Sequence, residues 1–149
     1  MKSRNSEYFE VKVRYAKNQE DGTQKMETEM YVVDALSFTE AEARITKEIT
    51  PCITGDFKII SITRASYSEV VTSEDSKADK YYKTKVAFLT YDEKTGKEKR
   101  NIGVYLVQAA SLDNAKSNLD AFFGHSMLDW VKVAVVETRI LDVYFHKVG

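Results

Sequence analysis

From position 8 the chain alternates strictly. Phe9, Val11, Val13 and Tyr15 fall on one side and Tyr8, Glu10, Lys12 and Arg14 on the other, the period of two that predicts a β-strand with one buried face. Asp21-Gly22 comes next, and glycine supplies the positive φ that a hairpin connection needs. The returning segment predicts a second strand, with Met30 and Val32 toward the core and Tyr31 on the opposite face. The period then changes. Phe38, Ala41, Ile45 and Ile49 recur at helical spacing behind Ser37, which forms a capping box with Glu40, and Pro51 marks the exit. Residues 57–71 are rich in Ile, Val, Thr and Tyr and predict a long last strand with a bend or bulge partway.

The same pattern then starts again. YFEVKVRY at residues 8–15 aligns without gaps on YYKTKVAF at 81–88, an offset of 73. YVVDALSFTEA at 31–41 lies on YLVQAASLDNA at 105–115, an offset of 74. A weaker third block sets Phe57-Lys58-Ile59 on Val131-Lys132-Val133 at 74, and Thr63-Arg64 on Thr138-Arg139 at 75. Thr95-Gly96 is the second turn, Val104 and Leu106 face the core with Tyr105 opposite, and Ser111 opens a helix carrying Leu112, Ala115, Leu119 and Phe122, with Gly124 at its exit. Three blocks in one order describe a duplicated unit. The expected fold is α+β, a tandem duplication of a ββαβ unit with antiparallel sheets and both helices on one side. Residues 8–71 form repeat one, 81–145 repeat two and 72–80 a polar connector. A unit of about 70 residues has too little core to stand alone, so the expectation is a single compact pseudo-two-fold domain across 1–149.

Composition narrows the classes. The 149 residues are 43% hydrophobic and 30% charged, a globular composition. No stretch approaches the ~18 uninterrupted apolar residues of a membrane span, and MKSRNSEYFEVKVRY lacks the apolar middle of a secretory signal, so no membrane partner and a cytoplasmic setting are expected. A single cysteine, Cys52, excludes an internal disulfide, and with only His125 and His146 beside it no Cys/His zinc set exists; no metal is expected. Six glycines assemble neither a phosphate loop nor a dinucleotide fingerprint, so no cofactor is expected. Net charge is −1, which removes bulk positive charge as an argument for nucleic acid, but residues 1–76 sum to −4 and 77–149 to +3, which predicts a polarised molecule.

Catalysis has little to stand on. Cys52 follows Pro51 with no histidine near in sequence, a pattern that suits an inert thiol. His125 and His146 sit at a helix exit and near the chain end. No catalytic residue is assigned, and an enzyme is the third reading. The anomaly lies on the strand faces opposite the expected core, where Tyr8, Lys12, Arg14 and Tyr31 in one copy match Tyr81, Lys83, Lys85 and Tyr105 in the other. Aromatic and basic residues interleaved in this way hold single-stranded nucleic acid, rings stacking on bases and cations tracking phosphates. The same residues also simply suit a half-exposed sheet, where Tyr is favoured and Lys and Arg oppose edge association. The open face also offers a protein partner or a second copy a docking surface, with the terminal DVYFHKVG as an apolar anchor and Trp130 as another, although Trp130 at a strand start suits the core as well. Arg64 and Arg139 occupy matching places and suit either an anion or an ion pair with Glu69 or Asp142.

YFEVKVRY, EDGTQK and YVVDALSFTEAEARITKEI, continued by ITRASYSEV, KTGKEK, LVQAASLDNA and ETRILDV, together resemble a domain-of-unknown-function family of Bacteroides-group bacteria and their phages and mobile elements. The resemblance covers most of the chain and implies no activity, cofactor or site residue. It implies a phage or mobile-element setting, which fits nucleic-acid handling or inhibition of a host protein. The functional expectation is a non-enzymatic binding module that takes single-stranded DNA or RNA through the sheet face. The alternative is a protein-interaction or assembly module, with a homodimer as one form.

Overall fold

The computed structural model describes residues 6–146. Strands β1 (Glu7–Asn18) and β2 (Gln24–Ala35) form the first hairpin, followed by helix α1 (Phe38–Ile49), a 3₁₀ turn (Thr50–Cys52), β3 (Phe57–Ala65) and a short β4 (Glu69–Val71). The series repeats as β5 (Lys80–Tyr91), β6 (Glu98–Ala109), α2 (Leu112–Phe123), β7 (Asp129–Glu137) and β8 (Ile140–Tyr144). The fold is mixed α+β, with two four-stranded sheets ordered β3-β1-β2-β8 and β4-β6-β5-β7.

The local signals act as their chemistry requires. Gly22 and Gly96 adopt φ of 86° and 69° in the two hairpin turns. Ser37 Oγ accepts the Glu40 N–H at 3.1 Å and Ser111 Oγ the Asn114 N–H at 3.1 Å. The reciprocal half of the capping box does not form: Glu40 turns to His146, and Asn114 Oδ1 accepts the Ala110 N–H instead. Gly124 ends α2 in a right-handed conformation, φ −57°, and so is not a left-handed cap.

The long last strand of each repeat carries the expected bulge and then leaves its own sheet. β1 and β3 lose register between Lys12 and Val13, leaving Ile60 without a counterpart, and β5 and β7 lose it between Lys85 and Val86, leaving Val133. These positions are 73 apart. The same offset places Phe57 on Trp130 and Arg64 on Glu137, so Arg64 and Arg139 are not counterparts. Beyond the bulge the chain crosses over. β4 pairs parallel to β6, and β8 pairs parallel to β2. The chain accordingly divides into two compact units, Met1–Ala65 with Arg139–Gly149, and Ser66–Thr138, whose limits do not follow the repeat limits.

This division changes the charge argument. Unit one holds 12 basic and 12 acidic residues and unit two 10 and 11, so the opposite charges of the two repeats do not survive in the folded units. In unit one the core lies between the sheet and α1, built by Phe9, Val11, Val13, Val33, Ala41, Ile45 and Ile49. In unit two it comprises Tyr82, Val86, Val107, Ala109, Ala115 and Leu119, extended by a ring cluster in which Phe123 meets Tyr105 at 5.0 Å and Trp130 at 5.1 Å. Trp130 thus packs, partly buried, against this core.

The crossover strand β8 is short and buries two of its residues, Ile140 and Val143, at 3% and 7% exposure. Each such side chain contributes roughly 1.5–3 kcal/mol. A chain ending at Thr138 is therefore expected to lose hydrogen-exchange protection across Met30–Val33, the β2 segment that β8 covers, while β5 and β6 keep theirs. Unchanged protection of that segment, read by mass spectrometry, would contradict the role given to β8.

Candidate nucleic-acid interface

The hairpin register decides which side chains reach solvent. Five residues separate Asn18 from Gln24, so odd positions pair with odd, and Tyr31 sits opposite Val11 on the helix side. Tyr31 is 8% exposed and joins the core with Val33. In the second hairpin Tyr105 sits opposite Thr84 and packs half-buried against the helix-side core. The expectation that these two tyrosines face away from the helices is corrected by this register; Met30, Val32, Val104 and Leu106 take that side. The other two expected platforms are also inaccessible, Tyr8 at 0% and Tyr81 at 5% exposure. Beside Tyr8, residues 31–35 of β2 are all buried, so the first hairpin is covered on both faces near that end. None of the four tyrosines presents an open ring for stacking.

The basic residues are where the alternation put them. Lys12, Arg14, Lys83 and Lys85 are exposed on the faces opposite the helices. Their surroundings differ between units. In unit one, Arg14 lies opposite both Thr28 on β2 and Lys58 on β3. A cleft of about 460 Å³ is lined by Arg14 and Lys58 with Tyr15, Met26, Phe57 and Ile60 and one carboxylate residue, Asp56. A second cleft of about 210 Å³ is lined by Lys12, Thr28, Glu29, Met30 and Arg139. Lys12, Arg14, Lys58 and Arg139 form no ion pair among the described residues. Glu27 and Glu29 sit opposite Tyr15 and Val13, on the helix side. Glu29 there accepts the Tyr31 hydroxyl at 3.2 Å. Both sides of the hairpin carry both signs, since Glu10 shares the side of Lys12 and Arg14, and Lys17 and Lys25 lie opposite each other on the side of Glu27 and Glu29. In unit two, Lys83 and Lys85 neighbour exposed or half-exposed Val104, Ala134 and Val136.

Arg64 is structural. Its Nε donates to Glu7 Oε2 at 3.0 Å and its guanidinium lies 5.0 Å over the Phe38 ring, in place of the expected Glu69 or Asp142. Arg139 is exposed immediately before β8 and lines the smaller cleft. His146 is drawn into a charged cluster at the far end of β8: its Nδ1 is 2.7 Å from Glu40 Oε1, its N–H donates to Asp34 Oδ2 at 3.3 Å, and Arg44 donates to the Phe145 carbonyl. His125 is exposed beyond α2, and Cys52 is exposed on the 3₁₀ turn with its thiol toward the Glu48 carbonyl. Among the described residues no three His, Cys, Asp or Glu side chains gather as a metal site, and no helix is long and apolar enough to cross a membrane. The last residues of the DVYFHKVG segment, 147–149, lie outside the described residues.

A family described as a domain of unknown function, DUF4494, matches residues 7–147. The chain belongs to this family. The DUF4494 match runs through both units and both crossover strands. No curated protein matches the chain.

Lys58, Met26 and Ile60 were not singled out by sequence. Strand alternation could have placed Lys58 beside Arg14, but the bulge that exposes Ile60 hides that register. The convergence of Lys12 and Arg139 has no local signal, because it depends on where β8 goes.

The buried tyrosines carry a pH signature. Burial raises the pKa of Tyr144 to about 12, assisted by Asp142, and burial followed by Glu29 raises that of Tyr31. The two rings stack at 5.8 Å. A folded-state pKa above the unfolded value of about 10 gives stability that is present below pH ~10 and lost as pH rises through the folded value. Absorbance titration at 295 nm is expected to show a late-ionising group that Tyr144→Phe removes, with unfolding setting in above pH ~10. Ionisation of every tyrosine near 10 would contradict this.

Proposed function

We propose that this DUF4494 chain is a non-enzymatic binding module that takes single-stranded nucleic acid on the basic sheet face of unit one. The observation that carries the reading is the cross-strand pair of Arg14 and Lys58 at the cleft of about 460 Å³. Like charges directly opposite on neighbouring strands are destabilising by some tenths of a kcal/mol, and an anion across them relieves that repulsion. Arg14, Lys58, Lys12 and Arg139 supply phosphate contacts, and Met26 and Ile60, half exposed at 51% and 50%, supply apolar surface for bases. Affinity in this arrangement comes from the backbone and not from aromatic stacking, so sequence preference is weak and salt dependence strong. A cytoplasmic setting, and the phage or mobile-element setting that the family resemblance implies, fit such a ligand.

Fluorescence anisotropy with labelled single-stranded DNA and RNA tests the reading. Binding should weaken with salt, and Arg14→Gln with Lys58→Gln should lower the slope of log K on log salt by about 1.4, two contacts at ~0.7 each. No binding at micromolar protein, or a slope the double variant leaves unchanged, overturns it.

A second reading, a protein-interaction or assembly module, rests on unit two. There Ile102 and Val136, 56% and 59% exposed, stand with Val131 on the face that carries Lys83 and Lys85. It requires a dimer by light scattering or a recovered partner, and Ile102→Lys should abolish either.

A further inference from the structure

We propose that the smaller cleft of unit one, between Lys12 and Arg139, is a phosphate-binding site whose occupancy holds the last strand in its sheet. The inference deepens the polyanion reading above and assigns one of its contacts to a defined group, a phosphate monoester or inorganic phosphate.

The register builds the site. Lys12 lies on β1 opposite Met30 of β2, and Met30 is the first residue of β2 to pair with β8, through Ile140. Arg139 is the residue immediately before that pair. The cleft of about 210 Å³ between them is also lined by Thr28, next on the same face of β2. Two cations thus converge from segments distant in the chain, neither with an ion pair among the described residues. Glu29 lines the same cleft, but its carboxylate is engaged by the Tyr31 hydroxyl on the helix side. A dianion matches the two positive charges. The guanidinium presents paired donors in a plane, the ammonium three donors, and the Thr28 hydroxyl one more, which is the donor set that phosphate oxygens accept.

The position of Arg139 couples the ligand to the fold. Arg139 reaches the cleft because β8 is seated against β2, and a ligand that binds only the seated form must stabilise seating by mass action. The other end of β8 is held by Asp34, Glu40 and Arg44. Phosphate therefore fastens the end of β8 that those residues do not reach.

Hydrogen exchange on the full chain tests this, with inorganic phosphate against chloride at matched ionic strength and pH 7.5. Phosphate should slow exchange across Met30–Val33 and Ile140–Tyr144 several-fold in the parent chain, and neither in Lys12→Gln nor in Arg139→Gln. Arg14→Gln, outside this cleft, should keep the effect. Lys12 is an exposed strand residue, so its variant folds even if Arg139→Gln does not. No slowing relative to chloride, or slowing that survives Lys12→Gln, overturns the site. A 5′-phosphorylated oligonucleotide that binds about tenfold tighter than its 5′-hydroxyl form, with the difference lost in Lys12→Gln, identifies a strand end as the source. Equal binding of the two, with phosphate protection intact, identifies the free anion. Salt-dependent nucleic-acid binding by the parent chain without phosphate protection is failure of this site alone, whereas phosphate protection without nucleic-acid binding is failure of the wider reading alone.

Discussion

The outer edges of β2 and β6 are the constraint on which the rest depends. Each hairpin is flanked on one side by the returning strand of its own repeat, β3 or β7, and the other side must be closed by something else. An open edge next to buried Val32, Val33, Leu106 and Val107 would leave backbone groups unpaired beside apolar core. The strand that closes it runs parallel, and parallel neighbours cannot be joined by a tight turn. A repeat of about 70 residues has no spare segment for such a crossover within its own sheet. The duplication solves this by exchange: the end of repeat one closes the sheet of unit two, and the end of repeat two closes that of unit one.

The fastening of the two exchanged strands shows the same design with different chemistry. After β4, the Ser73 N–H donates to Gln108 Oε1 at 3.0 Å, and after β8 the His146 N–H donates to Asp34 Oδ2 at 3.3 Å. Around Gln108 stand the amides of Asn114 and Asn118, the latter donating to the Gln108 carbonyl at 3.0 Å. The matching helix positions in unit one are Glu40 and Arg44, which meet His146 and the Phe145 carbonyl. One fastening is neutral and the other ionic. The amide network satisfies its groups without desolvating charge, whereas the other sets Asp34, Glu40 and Arg44 against the residues that follow β8 and is weakened when any member is removed.

The hairpins, turns, caps and helices were legible because their causes are local: alternation in Phe9 to Tyr15, Gly22 and Gly96 in the turns, Ser37 and Ser111 at the helix starts. The facing of Tyr31 and Tyr105 was not. Residues 31–35 are apolar or buried on both faces, so the period that normally betrays the core side is absent, and the register is set by loop length instead. The long last strand was read as one element with a bend, since nothing in Ile, Val and Thr content distinguishes a strand that stays from one that crosses. That single unknown displaced the candidate site: it hid the burial of Tyr8 and Tyr81, made Arg64 and Arg139 look equivalent, and turned a charge difference between repeats into an apparent polarity.

Comparison of the two units within the chain separates the positions that folding requires from those it does not. At the offset of 73, Lys12 keeps its charge as Lys85, but Arg14 becomes Ala87, Lys58 becomes Val131 and Arg139 becomes Ser66. The core positions keep their character, Val13 with Val86 and Ile45 with Leu119 at an offset of 74. A scaffold that needed these cations for stability would have kept them in both copies, because the sheets, bulges and crossovers are the same. Unit two forms its sheet without them. Arg14, Lys58 and Arg139 are therefore surplus to folding, and Arg14 facing Lys58 opposes it. Surplus, mutually repelling charge beside two clefts is what the proposed anionic ligand would offset, and the apolar replacement in unit two is what the alternative, a partner that excludes water, would cover.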